Sequence, residues 1–495
     1  MLPKSFPSGD ALARACKSCA AIAILASLLG GCIAGSGDLL RSAPATTPPA
    51  VTAPNNAAER EHAQLVSAFG GEYRAPAARA YLERVVSELT PATDRPDERF
   101  SVTLLDSPAV NAFALPNGRL YVTRGLLALA NDSAELAAVM AHEIAHVTLR
   151  HAATRSELEM RSALVTRVVA DVLRDRRAAE MVRDTTRMDI ARFSREQEIE
   201  ADLTAVATLA RAGYDPYGAA RFLRNLDRWV GLATGAAGAR VQRAAYDMFA
   251  THPATAQRVE AARIAARGFS GPGVGAADRD GYLAVLDGVA FGDNSSDGMV
   301  RGREYVHGRL RIGFTAPQGF RLDNSSRAVL GSSSDEARRL LFDLVEGTDG
   351  QSLTDVLQAT WTDDMRAESL ALTNVNGLEA ATAASRGREW HFRLAAVRHD
   401  GRVYRLIFAF RPRDAGAERL FQETLSSIRP ITASDVARLQ PPRLRIVRAA
   451  PGEDVAAMAR RMTGAGGSVE IFRVLNGLDA GDRIEPGRAY KIIVD

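Results

Sequence analysis

The sequence predicts a multidomain chain: a mainly α-helical domain carrying a small edge β-sheet, then an α+β domain, then a small α+β unit. Three observations lead there. The 495 residues exceed one ordinary domain, and 46% hydrophobic with 24% charged content is enough to bury several cores. Helical patterning runs from Ala57 to about residue 270, broken once by two strand-like stretches. Beyond a Gly/Pro-rich linker, Leu310, Ile312 and Phe314 alternate with polar or small residues, as do Tyr404, Leu406, Phe408 and Phe410, which is the period of a half-buried strand.

The N-terminus comes first. Lys4, Arg14 and Lys17 precede "CAAIAILASLLGGC", too short to span a membrane but suited to the apolar region of a secretory signal. Leu29-Gly30-Gly31-Cys32 resembles the lipobox of bacterial lipoproteins. Residues 1–31 are therefore read as a signal peptide and Cys32 as the acylated mature N-terminus, with 32–56, rich in Ser, Pro, Ala and Thr, as a tether. This predicts a lipid-anchored periplasmic protein, and Ile33 in place of an aspartate favours the outer over the inner membrane. The chain has three cysteines, Cys16, Cys19 and Cys32. Cleavage removes two and lipid occupies the third, so a metal site must use histidine and carboxylate.

Residues 57–270 form the helical domain. "AARAYLERVVSEL" is amphipathic; "RFSVTLLDSPAVNAFALPNGRLYVTRGLL" holds two strand-like stretches around a turn at Pro116-Asn117-Gly118. Asp132-Ser133 offers an N-cap for "AELAAVMAHEIAHVTLRHA". "SREQEIEADLTAVATLARAGYDP" is a further helix that Gly213 ends and Pro216 prevents from continuing. After "GFSGPGVGAAD", where Asp280-Gly281 breaks helical continuation, residues 280–432 read as the α+β domain, with helices in "SLTDVLQATW" and "ERLFQETLSSI". Residues 442–495 read as the small unit.

A net charge of +3 spread over both signs, with no basic stripe interleaved with aromatics, argues against nucleic acid. The chemistry lies in "HEIAH". Residues four apart on a helix differ by about 40° around its axis, so His142 and His146 present two imidazoles to one point. Glu143 lies beside that pair, where a carboxylate can take a proton from a metal-activated water. In "REQEIEAD", Glu198 and Asp202 share a helix face. Glu198 can be a third ligand, and Asp202 can accept the Nδ1–H of a ligating histidine. Glu196 and Glu200 should face solvent or a neighbouring helix. Taken alone, these helices also fit histidine-bearing and acidic solvated faces.

"NAFALPNGRLYVTRGLL", "HEIAHVTLRHA", "EIEAD" followed by "AGYDP", and "THP" occur in this order in the zinc metallopeptidases that include the HtpX and BepA proteases, the mitochondrial Oma protease and the CAAX prenyl proteases. The chain resembles that family from about Ala57 to Gly268, and its periplasmic BepA-type branch most. The resemblance implies a zincin-like fold and a metalloendopeptidase with one Zn²⁺ per chain. It makes His142, His146 and Glu198 the ligands, Glu143 the base and Asp202 the acidic residue after the third ligand. It also implies unfolded or misassembled envelope proteins as substrates. "NAFALPNGRLYV" would place an edge strand along the cleft, with Asn111 and Leu120, Tyr121, Val122 and Thr123 as candidate substrate contacts. His252 in "THP" looks like a histidine able to reach the zinc as a fourth ligand and hold the enzyme latent. His151 reads as structural or supporting a ligand, and His62, His307, His391 and His399 have no assigned role.

The last fifty residues resemble a LysM-like unit: a short strand, Pro-Gly before a helix, a second helix leading to Leu475-Asn476-Gly477-Leu478, then Ile484-x-Pro486-Gly487 before a final strand. That implies peptidoglycan binding, with a purely structural role as the alternative. For the whole chain the competing reading is a non-proteolytic chaperone or assembly scaffold keeping a zinc fold.

Overall fold

The computed structural model describes residues 56–157, 160, 176–234, 252–293, 298–324, 328–348, 350–359, 368–438, 440–463 and 468–495. The expected signal peptide, Cys32 and all but the last residue of the expected tether lie outside the described residues. Among the described residues no helix is long and apolar enough to cross a membrane.

Helices α1 (Asn56–Ala68) and α2 (Pro76–Leu89) come first. Pro76 occupies the first turn of α2, where its missing N–H costs nothing, and Ala78, Tyr81, Leu82, Val85, Val86 and Leu89 form one buried stripe. Strands β1 (Ser101–Leu105), β2 (Ala112–Ala114) and β3 (Arg119–Thr123) make a three-stranded sheet in the order β1-β3-β2. β3 runs parallel to β1, with Val102 opposite Leu120, and antiparallel to β2, with Phe113 opposite Tyr121. The expected turn closes at Gly118, whose φ of 81° favours glycine and where a Cβ would meet the Arg99 carbonyl oxygen at 2.4 Å.

This order corrects one expectation. Leu120, Tyr121, Val122 and Thr123 are not at an edge: β3 is the central strand, paired on both sides, and all four are fully buried. The alternation visible in the sequence marks a strand but not its neighbours; among the described residues the edges of this sheet are β1, bridged at Leu105 by Glu72, and β2.

β3 runs directly into α3 (Arg124–Leu129), and α4 (Ser133–Thr148) follows. The helices α5 (Arg176–Arg211), α6 (Gly218–Thr234), α7 (Ala256–Arg267) and α8 (Arg279–Leu286) complete this part. α4 is buried on nearly every side, against α5, α6 and β2, which its alanines permit. Gly218 begins α6 so close to α4 that a Cβ would lie 2.5 Å from the Ala134 carbonyl oxygen. Asp278 caps α8 by accepting from the Gly281 N–H, so Asp280-Gly281 begins a helix instead of breaking one.

Residues 298–432 build two antiparallel sheets. Strands β4 (Met299–Arg301), β5 (Glu304–His307), β6 (Ile312–Thr315) and the short β14 (Arg429–Pro430) form one, in the order β14-β6-β5-β4. β7 (Phe320–Asn324), β8 (Ala328–Ser333), β9 (Arg338–Val345), β10 (Glu368–Val375), β11 (Leu378–Arg386), β12 (His391–His399) and β13 (Arg402–Phe410) form the other, in the order β10-β11-β12-β13-β9-β8-β7. Tyr404, Leu406 and Phe408 pack with Phe314, Phe342 and α10 (Ala417–Ser426) on one face. α9 (Leu353–Ala359) covers Ala381, Leu394 and Val403 on the other. The expected alternation thus follows the pleat of β13, and that of β6 from Ile312; Leu310 lies in the turn before β6, where Arg311 takes a φ of 52°. A short helix, α11 (Ala433–Arg438), leads out.

The C-terminal residues form strand β15 (Arg443–Arg448), helices α12 (Val455–Arg460) and α13 (Val469–Leu475), and strand β16 (Ala489–Val494), with β15 and β16 antiparallel. Their apolar residues do not make a core of their own. Leu444, Met458, Phe472, Leu475 and Tyr490 share one cluster with Leu82, Leu126, Met140 and, from α8, Tyr282 and Leu286. A unit of some fifty residues is marginal by itself, and the shared cluster adds to its burial. Lys491, fully buried, donates to the carbonyls of Ala128 and Ala130 at 2.7 and 2.8 Å, and Arg228 donates to Leu478 O at 2.8 Å. The boundary expected near residue 280 therefore cuts through this core, because α8 packs with α2 and β15.

Candidate metal centre

α4 is anchored at its start. Asp132 accepts the Glu135 N–H at 2.8 Å, and the Glu135 carboxylate reaches back to the Asn131 N–H at 2.9 Å. One first-turn donor of the helix and the N–H just before its cap are thereby satisfied. Burial, and then the neighbouring Asp132, push the Glu135 carboxyl up to about 7, with Arg221 and Lys491 opposing. From this fixed end, His142 and His146 face inward three turns along.

Four residues bring donor atoms to one point: His142, His146, Glu198 of α5, and His252 just before α7. His142 Nε2 lies 3.0 Å from His146 Nε2 and 3.3 Å from His252 Nδ1. Glu198 oxygens lie 3.4 Å from each of the first two nitrogens and 3.0 Å from the third. A tetrahedral ion with bonds of about 2.0–2.1 Å separates its ligand atoms by about 3.4 Å. The donor set, three imidazole nitrogens and a carboxylate, therefore fits a zinc-type ion in both chemistry and spacing.

The electrostatics agree. Burial works to lower His142, but contacts with Asp202 and Glu198 outweigh it and raise the ring to about 9. Burial, then the charges of His142 and His252, push His146 far down. Burial alone would raise Glu198, yet His142 and His252 hold it well below the usual carboxylate range. The carboxylates of Glu198 and Asp202 thus favour positive charge at this point, on a ring or on an ion. Behind the ligands, Asp202 Oδ1 approaches His142 Nδ1 at 3.0 Å, close enough for a hydrogen bond though not aligned for one. Arg258 of α7 holds Asp202 with two bonds of 2.7 and 2.8 Å and reaches Glu198 at 3.0 Å. Thr255 caps α7 by accepting from the Arg258 backbone N–H.

Glu143 is 2% exposed, and burial raises its carboxyl. Its Oε1 has no hydrogen-bond partner among the described residues and stands 3.8 Å from His252 Nε2. A buried acceptor left open beside four converging donors suits a proton acceptor. Glu143, His146 and His252 open on a cavity of about 530 Å³, walled by Phe113, Ala114 and Pro116 from the β2 side.

The expected residues His142, Glu143, His146, Glu198, Asp202 and His252 thus come together. Asn111 is buried, its backbone bonded to Thr123 from both N–H and C=O. Glu196 and Glu200 are exposed. Arg258 was missed. Its only sequence signal is its place six residues after His252, and only the fold shows that two buried carboxylates need a counter-charge there.

Residues 76–266 match the model of peptidase family M48. The β-barrel assembly-enhancing protease of Escherichia coli (strain K12) is 28% identical over 265 residues, 51% of this chain and 51% of that protein. Mitochondrial metalloendopeptidase OMA1 of Arabidopsis thaliana is 33% identical over 159 residues, 32% of this chain and 30% of that protein. The match to the assembly-enhancing protease spans about half of its length. Among solved structures, PsbP of Synechocystis sp. PCC 6803 covers 28% of this chain at 18% identity and a TM-score of 0.23.

Proposed function

We propose that this chain, whose residues 76–266 carry an M48-type metallopeptidase fold related to those two proteases, is a zinc-dependent endopeptidase. The convergence of His142, His146, Glu198 and His252 beside the open carboxylate of Glu143 supports the reading most. Bound there, zinc would polarise a peptide carbonyl and acidify a water. Glu143 then takes the proton from the attacking water and returns it to the leaving amine. Asp202, held by Arg258, steadies His142. An extended substrate adds to the free edge of β2, a role that passes to Ala112–Ala114 from the buried β3. His252, as a fourth ligand, keeps the enzyme latent until it moves away.

The substrates we assign are unfolded or misassembled envelope proteins, with the chain held in the periplasm by lipid on Cys32, at the outer more than the inner membrane. Its relatedness to the β-barrel assembly-enhancing protease supports this. The C-terminal strand–helix–helix–strand unit is LysM-like in order. Its burial through Lys491 and its bond to Arg228 favour the structural role over peptidoglycan binding.

The test is zinc content and casein cleavage on protein beginning at Ala34, comparing wild type, Glu143→Gln and His252→Ala. One zinc in all three, cleavage abolished in the first variant and raised in the second, is the expected result. No zinc in wild type after reconstitution would sink the reading. One observation favours a scaffold instead: four protein ligands make a closed set, as in structural sites. A Glu143→Gln chain fully functional in cells would decide for it.

A further inference from the structure

His151 lies three residues past the end of the ligand-bearing α4 and is 4% exposed. In an uninterrupted helix it would stand about 140° around the axis from His146, five residues earlier, and could not touch it. The helix does not continue. Arg150 takes a φ of 57°, the left-handed conformation that ends helices, and the chain starts a new helical turn at His151. That break folds His151 under His146: Nδ1 to Nδ1 is 2.9 Å, with the rings edge-on at 75°. The new position is held from α5. Gln197, itself buried, donates to the His151 carbonyl at 3.1 Å, and Glu200 Oε2 stands 3.4 Å from His151 Nε2.

We infer that His151 is a positioning residue: it accepts the Nδ1–H of His146 and so fixes the tautomer and ring angle that aim the His146 Nε2 lone pair at the metal. This inference rests on the metal-site reading above. The hydrogens leave one consistent assignment. A ligand nitrogen must carry a lone pair, so the proton of neutral His146 is on Nδ1. That proton needs an acceptor, and His151 Nδ1 is the atom in reach. His151 then carries its own proton on Nε2, the side that faces the Glu200 carboxylate. Each of the two helical ligands thus has its own support from α5, Asp202 directly for His142 and Glu200 through His151 for His146. Exposed Glu200 is an anchor rather than a ligand, since His151 stands between it and the metal point.

The experiment measures zinc affinity by competition with a chromophoric chelator and records the d–d spectrum of the cobalt-substituted protein, for wild type, His151→Phe and His151→Gln. Phenylalanine keeps the bulk and removes the acceptor; glutamine keeps an acceptor. Zinc binding weaker by about 10- to 100-fold in His151→Phe, with a shifted cobalt spectrum, and binding within about threefold of wild type in His151→Gln, is the expected result. Unchanged affinity and spectrum in a folded His151→Phe would overturn the inference while leaving the metal site intact. An equal loss in both folded variants would overturn it too, since packing would then be the cause. A wild type that binds no zinc would sink this inference and the proposed function together. If the phenylalanine variant does not fold, long-range ¹H–¹⁵N spectra of zinc-loaded wild type decide: His151 protonated on Nε2 sustains the assignment, and His151 protonated on Nδ1 overturns it.

Discussion

Arg258 and Asp202 meet inside the protein as a two-point pair, Nε to Oδ2 at 2.7 Å and Nη2 to Oδ1 at 2.8 Å, each side chain 5% exposed. The same guanidinium also reaches Glu198. Removing it strands two buried carboxylates, which costs far more than the pair contributes. Arg258→Met should lower stability by about 3–5 kcal/mol in thermal or urea unfolding of the metal-free protein. Arg258→Lys should recover little, because an ammonium cannot bond both oxygens in parallel. A metal-free Arg258→Met as stable as wild type would show that the carboxylates find another counter-charge.

The edge of β2 predicts a substitution that separates binding from stability. The Thr123 N–H donates to the Asn111 carbonyl and the Leu115 N–H to the Arg119 carbonyl, so by the alternation of the ladder the Ala114 N–H points away from β3. Ala114→Pro removes that outward donor and no ladder bond. Peptide hydrolysis should fall about tenfold in kcat/KM, as expected for the loss of about 1.4 kcal/mol of substrate binding, with the melting temperature nearly unchanged. A variant with full kcat/KM would mean that substrate does not add to β2.

The shared core predicts that the C-terminal unit cannot be removed cleanly. A chain ending at Gln440 uncovers Leu126 and Tyr282 and withdraws Lys491 from the end of α3. It should aggregate or lose its thermal transition, whereas a detachable module would leave residues 57–440 folded. The single change Lys491→Met should cost about 1–3 kcal/mol, the penalty for buried carbonyls left without a donor. Circular dichroism and solubility of the two proteins check this.

His307 predicts a pH dependence in the α+β region. Burial, with Arg309 adding to it, lowers its ring to about 4 from 6.5. Its Nδ1 accepts the Leu310 N–H at 3.3 Å, which requires that nitrogen to be bare. The unfolded chain takes up the proton near pH 6.5 and the folded chain resists until about 4, so the unfolded state binds more protons in between. The contribution of His307 is therefore full above about 6.5 and is lost as pH falls towards about 4, up to about 3 kcal/mol. The stability difference between wild type and His307→Gln should shrink across that window. A difference constant with pH would show that the ring titrates alike in both states.

Much of the candidate centre was legible because its signals are local. Asp132 before a helical run reads as a cap, His142 and His146 share a face through the helical repeat, and Glu198 and Asp202 do so by the same arithmetic. With no cysteine after Cys32, the choice of ligands narrowed further. The alternation in β6 and β13 was readable for the same reason, since the pleat has a fixed period.

What only the tertiary structure decided depends on residues far apart in the chain. Period-two alternation marks β3 as a strand, but whether it is central or at the edge depends on β1 and β2 both pairing with it. The His151–His146 contact needs the left-handed turn at Arg150, which no side-chain pattern announces. Arg258 meets Asp202 across 56 residues, and Lys491 reaches Ala128 across 363. Helical and strand periods are properties of consecutive backbone units, so the sequence alone determined the elements and the two ligand-bearing faces. Charge compensation and core closure depend on which elements fold together, and these the tertiary structure settled.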